Sequence, residues 1–307
     1  MSPSIEWLRK IKGKVLYNEL LSKHTSICIG GPADIFIFPR DVEDLNTIYG
    51  HKGGMPLFVL GEGTNLLVGD GGIRGIVVCL KEGFKSIQGP EFFRSADGGE
   101  SAVLKVGSGV KMSYLAKYAA RFSLAGIEGL AGVPGSLGGA LVMNAGAEGF
   151  EIGDVTRNVV RITDAGKMQT LQKGDIEFRY RKTVFPPGDG IIVEAELELR
   201  KGDARTIYEN IDRYLSRRTV NQPLTLPNSG SVFKNPPGDK AGRLIEAAGL
   251  KGFGVGGAAV SVKHANFIVN KGNAKSGDVV RLIEHIRDVV KEKTGTELET
   301  EIIVIDG

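Results

Sequence analysis

The stretch "AGVPGSLGGALVMNAGAEG" at 131–149 carries glycine at 132, 135, 138, 139, 146 and 149, and it restricts the fold more than any other part of the chain. A glycine in a helix or strand interior costs about 0.5–1 kcal/mol relative to alanine, because it loses more backbone freedom on folding. Such spacing is too dense for an ordinary helix interior and requires a compensating gain, such as a backbone that must approach a ligand closely. The excess extends along the chain: 44 of 307 residues are glycine, roughly twice the usual ~7%.

A second glycine turn lies upstream. "MPLFVLGEGTNLLV" at 55–68 is an apolar strand running into Gly61-Glu62-Gly63-Thr64-Asn65, and "GGIRGIVVCL" at 71–80 reads as the next strand. Glycine-rich turns at strand ends let backbone N–H groups converge on an anion, so 61–65 is either a phosphate cradle or a plain tight turn. Neither glycine segment is a standard nucleotide motif. "GEGTNL" lacks the third glycine of G-x-G-x-x-G, and no G-x-x-x-x-G-K-[ST] occurs.

The remaining periodicities describe a mixed α and β chain. Helices are predicted at 4–12, at 111–123, after a capping Asp203, and at 277–293 with Ser276 as N-cap and Gly295 at the C-terminal end. Strands are predicted at 33–40, 103–107, 159–163 and 191–200 and in the terminal "TEIIVID". The composition shift near 203 marks a domain boundary.

Composition narrows the classes of function. Hydrophobic residues are 41% and charged residues 24%, ordinary for a globular protein. The net charge of +3 is dispersed, without the basic clusters of a nucleic-acid binder. No run approaches the roughly 18 apolar residues of a membrane span, and the first residues lack the apolar core of a signal peptide. Cys28 and Cys79 sit far apart in apolar settings and read as buried thiols in a reducing cytoplasm, with no metal-ligand spacing. The expected protein is a cytoplasmic monomer with small-molecule substrates and no nucleic-acid, membrane or metal partner.

Single motifs leave chemistry open. No Gly-x-Ser-x-Gly elbow is present, and of the four histidines only His264, directly before a strand, is placed for a role. "NSGSVFKNP" sets Ser231 in a loop bounded by proline and glycine. In "FRYRKT", read as a strand, Arg179 and Arg181 share one face and Tyr180 the other. Glu301 opens the last strand. Each has an equally plain structural reading.

Taken in order, "GEGTNLLV", "GLAGVPGSLGGALVMNAGAEG", "YRKTVF", "GSVFKNPPGDKAGRLIEAAGLKG", "VSVKHANFIVNKGNAKSGDVV" and "LETEIIVI" closely resemble the UDP-N-acetylenolpyruvoylglucosamine reductases, over nearly the whole chain from about residue 20. The resemblance implies an α+β chain: an FAD-binding fold of the vanillyl-alcohol-oxidase type, made of two α/β subdomains at 1–82 and 83–202, with a C-terminal α/β substrate-binding domain at 203–307. It implies non-covalent FAD as cofactor and NADPH as hydride donor. The implied reaction is reduction of an enolpyruvyl ether of a UDP-sugar to UDP-N-acetylmuramate in peptidoglycan precursor synthesis.

Carried over by position, the resemblance puts the catalytic arginine at Arg181, the proton-donating serine at Ser231 and the glutamate at Glu301. It puts Gly61, Glu62, Gly63, Thr64, Asn65 and Leu66 around the FAD pyrophosphate and ribityl chain. Along the flavin it places Gly132, Pro134, Gly135, Ser136, Gly138, Gly139, Asn144 and Gly146. Tyr180, Asn235 and His264 match substrate contacts, His264 standing where some members have glutamine. The chain departs from the family pattern at Asn221, where a lysine would pair with the UDP diphosphate, and at Glu148, where a tyrosine is common. The short span between Arg181 and Arg217 resembles the class without an additional substrate-capping loop.

Overall fold

The computed structural model describes residues 5–188 and 190–306. They form two compact units, each assembled from separated segments. One comprises Met1–Leu16, Phe36–Gly61 and Ile76–Arg217, and the other Tyr17–Ile35, Glu62–Gly75 and Arg218–Gly307.

In the first unit the central element is an antiparallel sheet in the order Met168–Gln172, Thr156–Thr163, Gly190–Lys201, Glu100–Gly107, Ile87–Arg94, with Leu124–Ala125 also pairing to Gly190–Lys201. Strict alternation builds it. Ile191, Val193, Ala195, Leu197 and Leu199 are buried in one strand, so a single face turns to the core. Helix Met112–Arg121 contributes Met112, Leu115, Ala116, Ala119 and Ala120, at the spacing of one helical face. Full burial of a leucine or methionine of this kind is worth about 1.5–3 kcal/mol. In the same unit Leu57–Leu60 runs parallel to the Ile76–Cys79 part of strand Ile73–Cys79, from Leu57 opposite Ile76 to Leu60 opposite Cys79.

The second unit contains an antiparallel sheet in the order Asn228–Ser231, Phe267–Asn270, Ala258–Val260, Gly254–Val255, and a parallel pair, Leu66–Val68 with Ile303–Ile305. Helix Ser276–Thr294 packs Val279, Leu282, Ile283, Ile286 and Val290 into a core with Ile27, Leu67, Phe233 and Ile268.

Several local expectations are corrected. The predicted N-terminal helix is a 3-10 turn, Glu6–Lys10. Ser276 is the first residue of its helix rather than the cap: Lys275 is the cap, its N–H bonded to the Asp278 carboxylate at 3.0 Å, while the Ser276 hydroxyl accepts from the Asp70 N–H. Asp203 does cap its helix, accepting from the Thr206 N–H at 2.8 Å. Cys79 is buried, but Cys28 is exposed, at a left-handed position with φ 58° that a strand does not offer.

The glycine-rich stretch is corrected too. It forms a 3-10 turn, Glu128–Gly132, and then a true helix, Leu137–Met143, that includes Gly138 and Gly139. The compensation is in part internal: a Cβ at Gly138 would lie 3.0 Å from the Ser108 Cβ, so the helix approaches the loop after Glu100–Gly107 more closely than a side chain could without displacing it.

Candidate active site

Arg181 lies in the turn of a hairpin. Strand Glu177–Arg179 pairs with Lys182–Val184, Arg179 facing Lys182, so Tyr180 and Arg181 form a two-residue connection. Arg181 takes φ 56°, which ends the period-two alternation and replaces the predicted shared face with Arg179. A non-glycine residue in this region is uncommon and persists where its surroundings hold it. Here the guanidinium Nη1 donates to the Gly146 carbonyl at 2.6 Å and the group stacks over the Tyr180 ring, 5.4 Å from its centroid. A Cβ at Gly146 would come within 3.3 Å of that nitrogen and 2.9 Å of Glu151 Cγ. The bare backbone at 146 therefore gives the arginine its approach.

The segment 144–153 supports this hairpin. Asn144, fully buried, ends helix Leu137–Met143 in a left-handed conformation. Glu148 and Gly149 form a tight turn between Gly146–Ala147 and Phe150–Glu151, both at positive φ, as a type I′ connection requires. The Glu148 carboxylate pairs with Arg217 at 3.0 Å, and the Phe150 ring meets Tyr214 edge-on.

The first unit also offers open backbone. A Cβ at Gly61 would meet only the Ser136 hydroxyl at 3.1 Å, and one at Gly139 only the same hydroxyl at 3.8 Å. The buried Ser108 hydroxyl makes no hydrogen bond among the described residues. Exposed peptide edges beside two hydroxyls, free of intervening side chains, fit a flat group rich in acceptors such as FAD.

In the second unit, Ser231 ends the strand Asn228–Ser231, opposite Phe267. The preceding Gly230 takes φ 77°, and its N–H is held by the Asn228 side chain at 3.0 Å. Val232 accepts the Glu301 N–H at 2.8 Å, and Phe233 bridges to Thr300. Ser231 and Glu301 thus sit on adjacent backbone segments. Asn65 adds a second hold, its amide donating to the Glu301 carbonyl at 3.1 Å while its own carbonyl accepts from the Ile303 N–H.

His264 is half-buried, against Phe267 edge-on at 4.9 Å. Its Nδ1 accepts the Asn266 N–H at 3.2 Å, which leaves the proton of the neutral ring on Nε2. Burial, with the Lys251 ammonium nearby, holds its pKa below the ordinary histidine value. Asn235 accepts the Ala241 N–H at 3.1 Å, at the start of helix Ala241–Ala247. Tyr180 is half exposed. The roles of Asn144, of the Gly146 carbonyl and of the Asn65 to Glu301 bond are absent from sequence patterning, because each joins residues separated by tens to hundreds of positions.

Comparison with known proteins agrees with this architecture. Residues 33–172 match the FAD binding domain family, and residues 222–305 match the UDP-N-acetylenolpyruvoylglucosamine reductase C-terminal domain family. The chain is similar to UDP-N-acetylenolpyruvoylglucosamine reductase 2 of Symbiobacterium thermophilum, at 42% identity over 98% of this chain and 96% of the relative. It is 41% identical to the reductase of Caldanaerobacter subterraneus subsp. tengcongensis, over 96% of this chain and 94% of the other. Among solved structures it is similar to UDP-N-acetylenolpyruvylglucosamine reductase from Thermus caldophilus, with a TM-score of 0.79, 34% identity, and coverage of 96% of this chain and 99% of that one.

Fold and family matches define an α+β flavoprotein with an FAD-binding domain and the C-terminal domain of the reductase family. The chain belongs to the UDP-N-acetylenolpyruvoylglucosamine reductase family.

Proposed function

We propose that this chain reduces the enolpyruvyl ether of UDP-N-acetylenolpyruvoylglucosamine to the lactyl ether of UDP-N-acetylmuramate, with NADPH as electron source, in peptidoglycan precursor synthesis. The observation that carries the reading is similarity to named reductases at 42% identity along 98% of the chain. In this reading 1–82 and 83–202 hold FAD and 203–307 holds the UDP-sugar. The enzyme acts as a cytoplasmic monomer. No helix among the described residues is long and apolar enough to cross a membrane.

When bound, FAD supplies the hydride that adds to the terminal enolpyruvyl carbon. Residues 61–66 would hold its pyrophosphate and ribityl chain, and the backbone of 132–139 with Gly146 would lie along its ring. Arg181 meets the substrate carboxylate and the enolate charge that grows on it, using a planar, permanently charged fork. Ser231 delivers a proton to the adjacent carbon, so that hydride and proton together complete the saturated C–C bond. Glu301 orients this protonation or meets Arg181 at the substrate carboxylate, and Tyr180, Asn235 and the Nε2–H of His264 bind the substrate.

The test is NADPH oxidation by purified, flavin-loaded protein with and without the enolpyruvyl UDP-sugar. Stimulation by the sugar, with UDP-N-acetylmuramate as product, is expected. NADPH consumption unaffected by the sugar would refute the reading.

A further inference from the structure

We propose that Asn144 is a positioning residue for Arg181, acting through the hairpin that carries it. The proposal rests on the reading of Arg181 as the residue that meets the substrate carboxylate.

Asn144 has no exposed surface, and its amide is engaged on every side. Nδ2 donates to Glu151 Oε2 at 2.7 Å and to the Arg179 carbonyl at 3.0 Å, while Oδ1 accepts the Gly153 N–H at 3.1 Å. Both donors of the amide are used, together with one acceptor site. The Arg179 carbonyl belongs to the last paired residue before the turn, two positions from Arg181. Gly146, two positions after Asn144, accepts from the Arg181 guanidinium. Segment 144–146 therefore grips the turn twice, once on the backbone before Arg181 and once on its side chain.

Other contacts set the rest of the hairpin. Thr183 donates its hydroxyl to the Leu141 carbonyl, and the Phe178 ring fills the space beside Gly153, where a Cβ would lie 2.6 Å from Cγ. Arg181 at φ 56° needs the turn held from both strands. On the incoming strand that hold at the last ladder residue is the Asn144 amide.

Residue chemistry separates this role from helix termination. Glycine would satisfy the left-handed backbone at 144 as well as asparagine does, and it lacks the donor for Arg179. Aspartate would keep the acceptor for Gly153 but turn a carboxylate toward Glu151 and the Arg179 carbonyl.

The test uses the flavin-loaded Asn144→Gly protein, with Asn144→Asp in its place if the glycine variant does not fold, and Arg181→Lys alone and combined with it. Three quantities are measured: flavin reduction by NADPH, reoxidation of the reduced enzyme by the enolpyruvyl substrate, and the crystal structure of the Asn144 variant. The expected result is reoxidation slowed about tenfold or more, as misplacement of a catalytic group produces, and slowed by a clearly larger factor than flavin reduction. In the Arg181→Lys background the second change should add less than about twofold, because the two act as one unit. In the crystal structure of the variant, the Arg181 guanidinium should no longer reach the Gly146 carbonyl.

A turn unmoved in that structure, equal slowing of both half-reactions, or losses that multiply in the double variant would each overturn the proposal. Arg181→Lys with unimpaired reoxidation would instead refute the role of Arg181, leaving the crystal structure to decide whether Asn144 positions it.

Discussion

Glu301 donates its backbone N–H to the carbonyl of Val232 at 2.8 Å, and so its backbone is fixed alongside the segment that carries Ser231. The bond spans 69 positions, since 301 − 232 = 69. It gives a specific geometry to two residues whose separate sequence contexts are those of a loop and a strand end.

Replacing Ser231 by alanine removes a hydroxyl and leaves the backbone pairing with Phe267 in place. Flavin reduction by NADPH should stay near the wild-type rate. Reoxidation by the enolpyruvyl substrate should fall about 100-fold or more, the usual contribution of a positioned proton donor. Stopped-flow absorbance of the flavin separates the two, and equal losses in both would contradict the assignment.

Arg181→Lys keeps the charge and loses the planar fork. Loss of a preorganised donor to developing charge costs about 10²–10³-fold in turnover, so kcat should fall far more than substrate affinity. A change confined to KM would mean that Arg181 binds substrate and transition state equally.

Asn65→Ala deletes the amide that donates to the Glu301 carbonyl at 3.1 Å. Removing one partner of a half-buried backbone bond should cost about 1–2 kcal/mol, read as a lowered denaturation midpoint in urea. A midpoint equal to that of wild type would show that the Asn65 bond adds nothing measurable to the stability of this segment.

His264 carries a pH signature. Its folded pKa is lowered by burial and by Lys251, so the unfolded chain binds the proton more readily. Its contribution to stability is complete above the unfolded value of about 6.5 and is lost as pH falls toward the lower folded value. His264→Gln should flatten this part of the stability profile below about pH 6.5, measured by urea unfolding at several pH values. An unchanged slope would remove His264 as its source.

Much of the fold is legible in the sequence because it rests on short-range periodicity. The alternation of Gly190–Lys201 and the helical spacing of Met112, Leu115, Ala116 and Ala119 each identify one buried face without reference to any partner. Arg181 shows where that reading stops. Alternation predicts a strand through "FRYRKT", yet the left-handed turn there is imposed by Gly146 and Asn144, some 35 positions earlier. Cys28 fails for a similar reason, since apolar neighbours in sequence do not report the positive φ that turns it outward. The glycine-rich stretch stands out for its conformational cost, but Gly138 in its helix answers to Ser108, which no local window contains.

That close approach ties two positions into a single heritable unit. With only 3.0 Å between the Ser108 Cβ and the place a Cβ would occupy at 138, an alanine at 138 obliges the segment at 108 to give by a few tenths of an ångström. Across descendants of this chain, substitutions at the two sites should be coupled, a signature of backbone proximity that persists after the surrounding sequence has diverged.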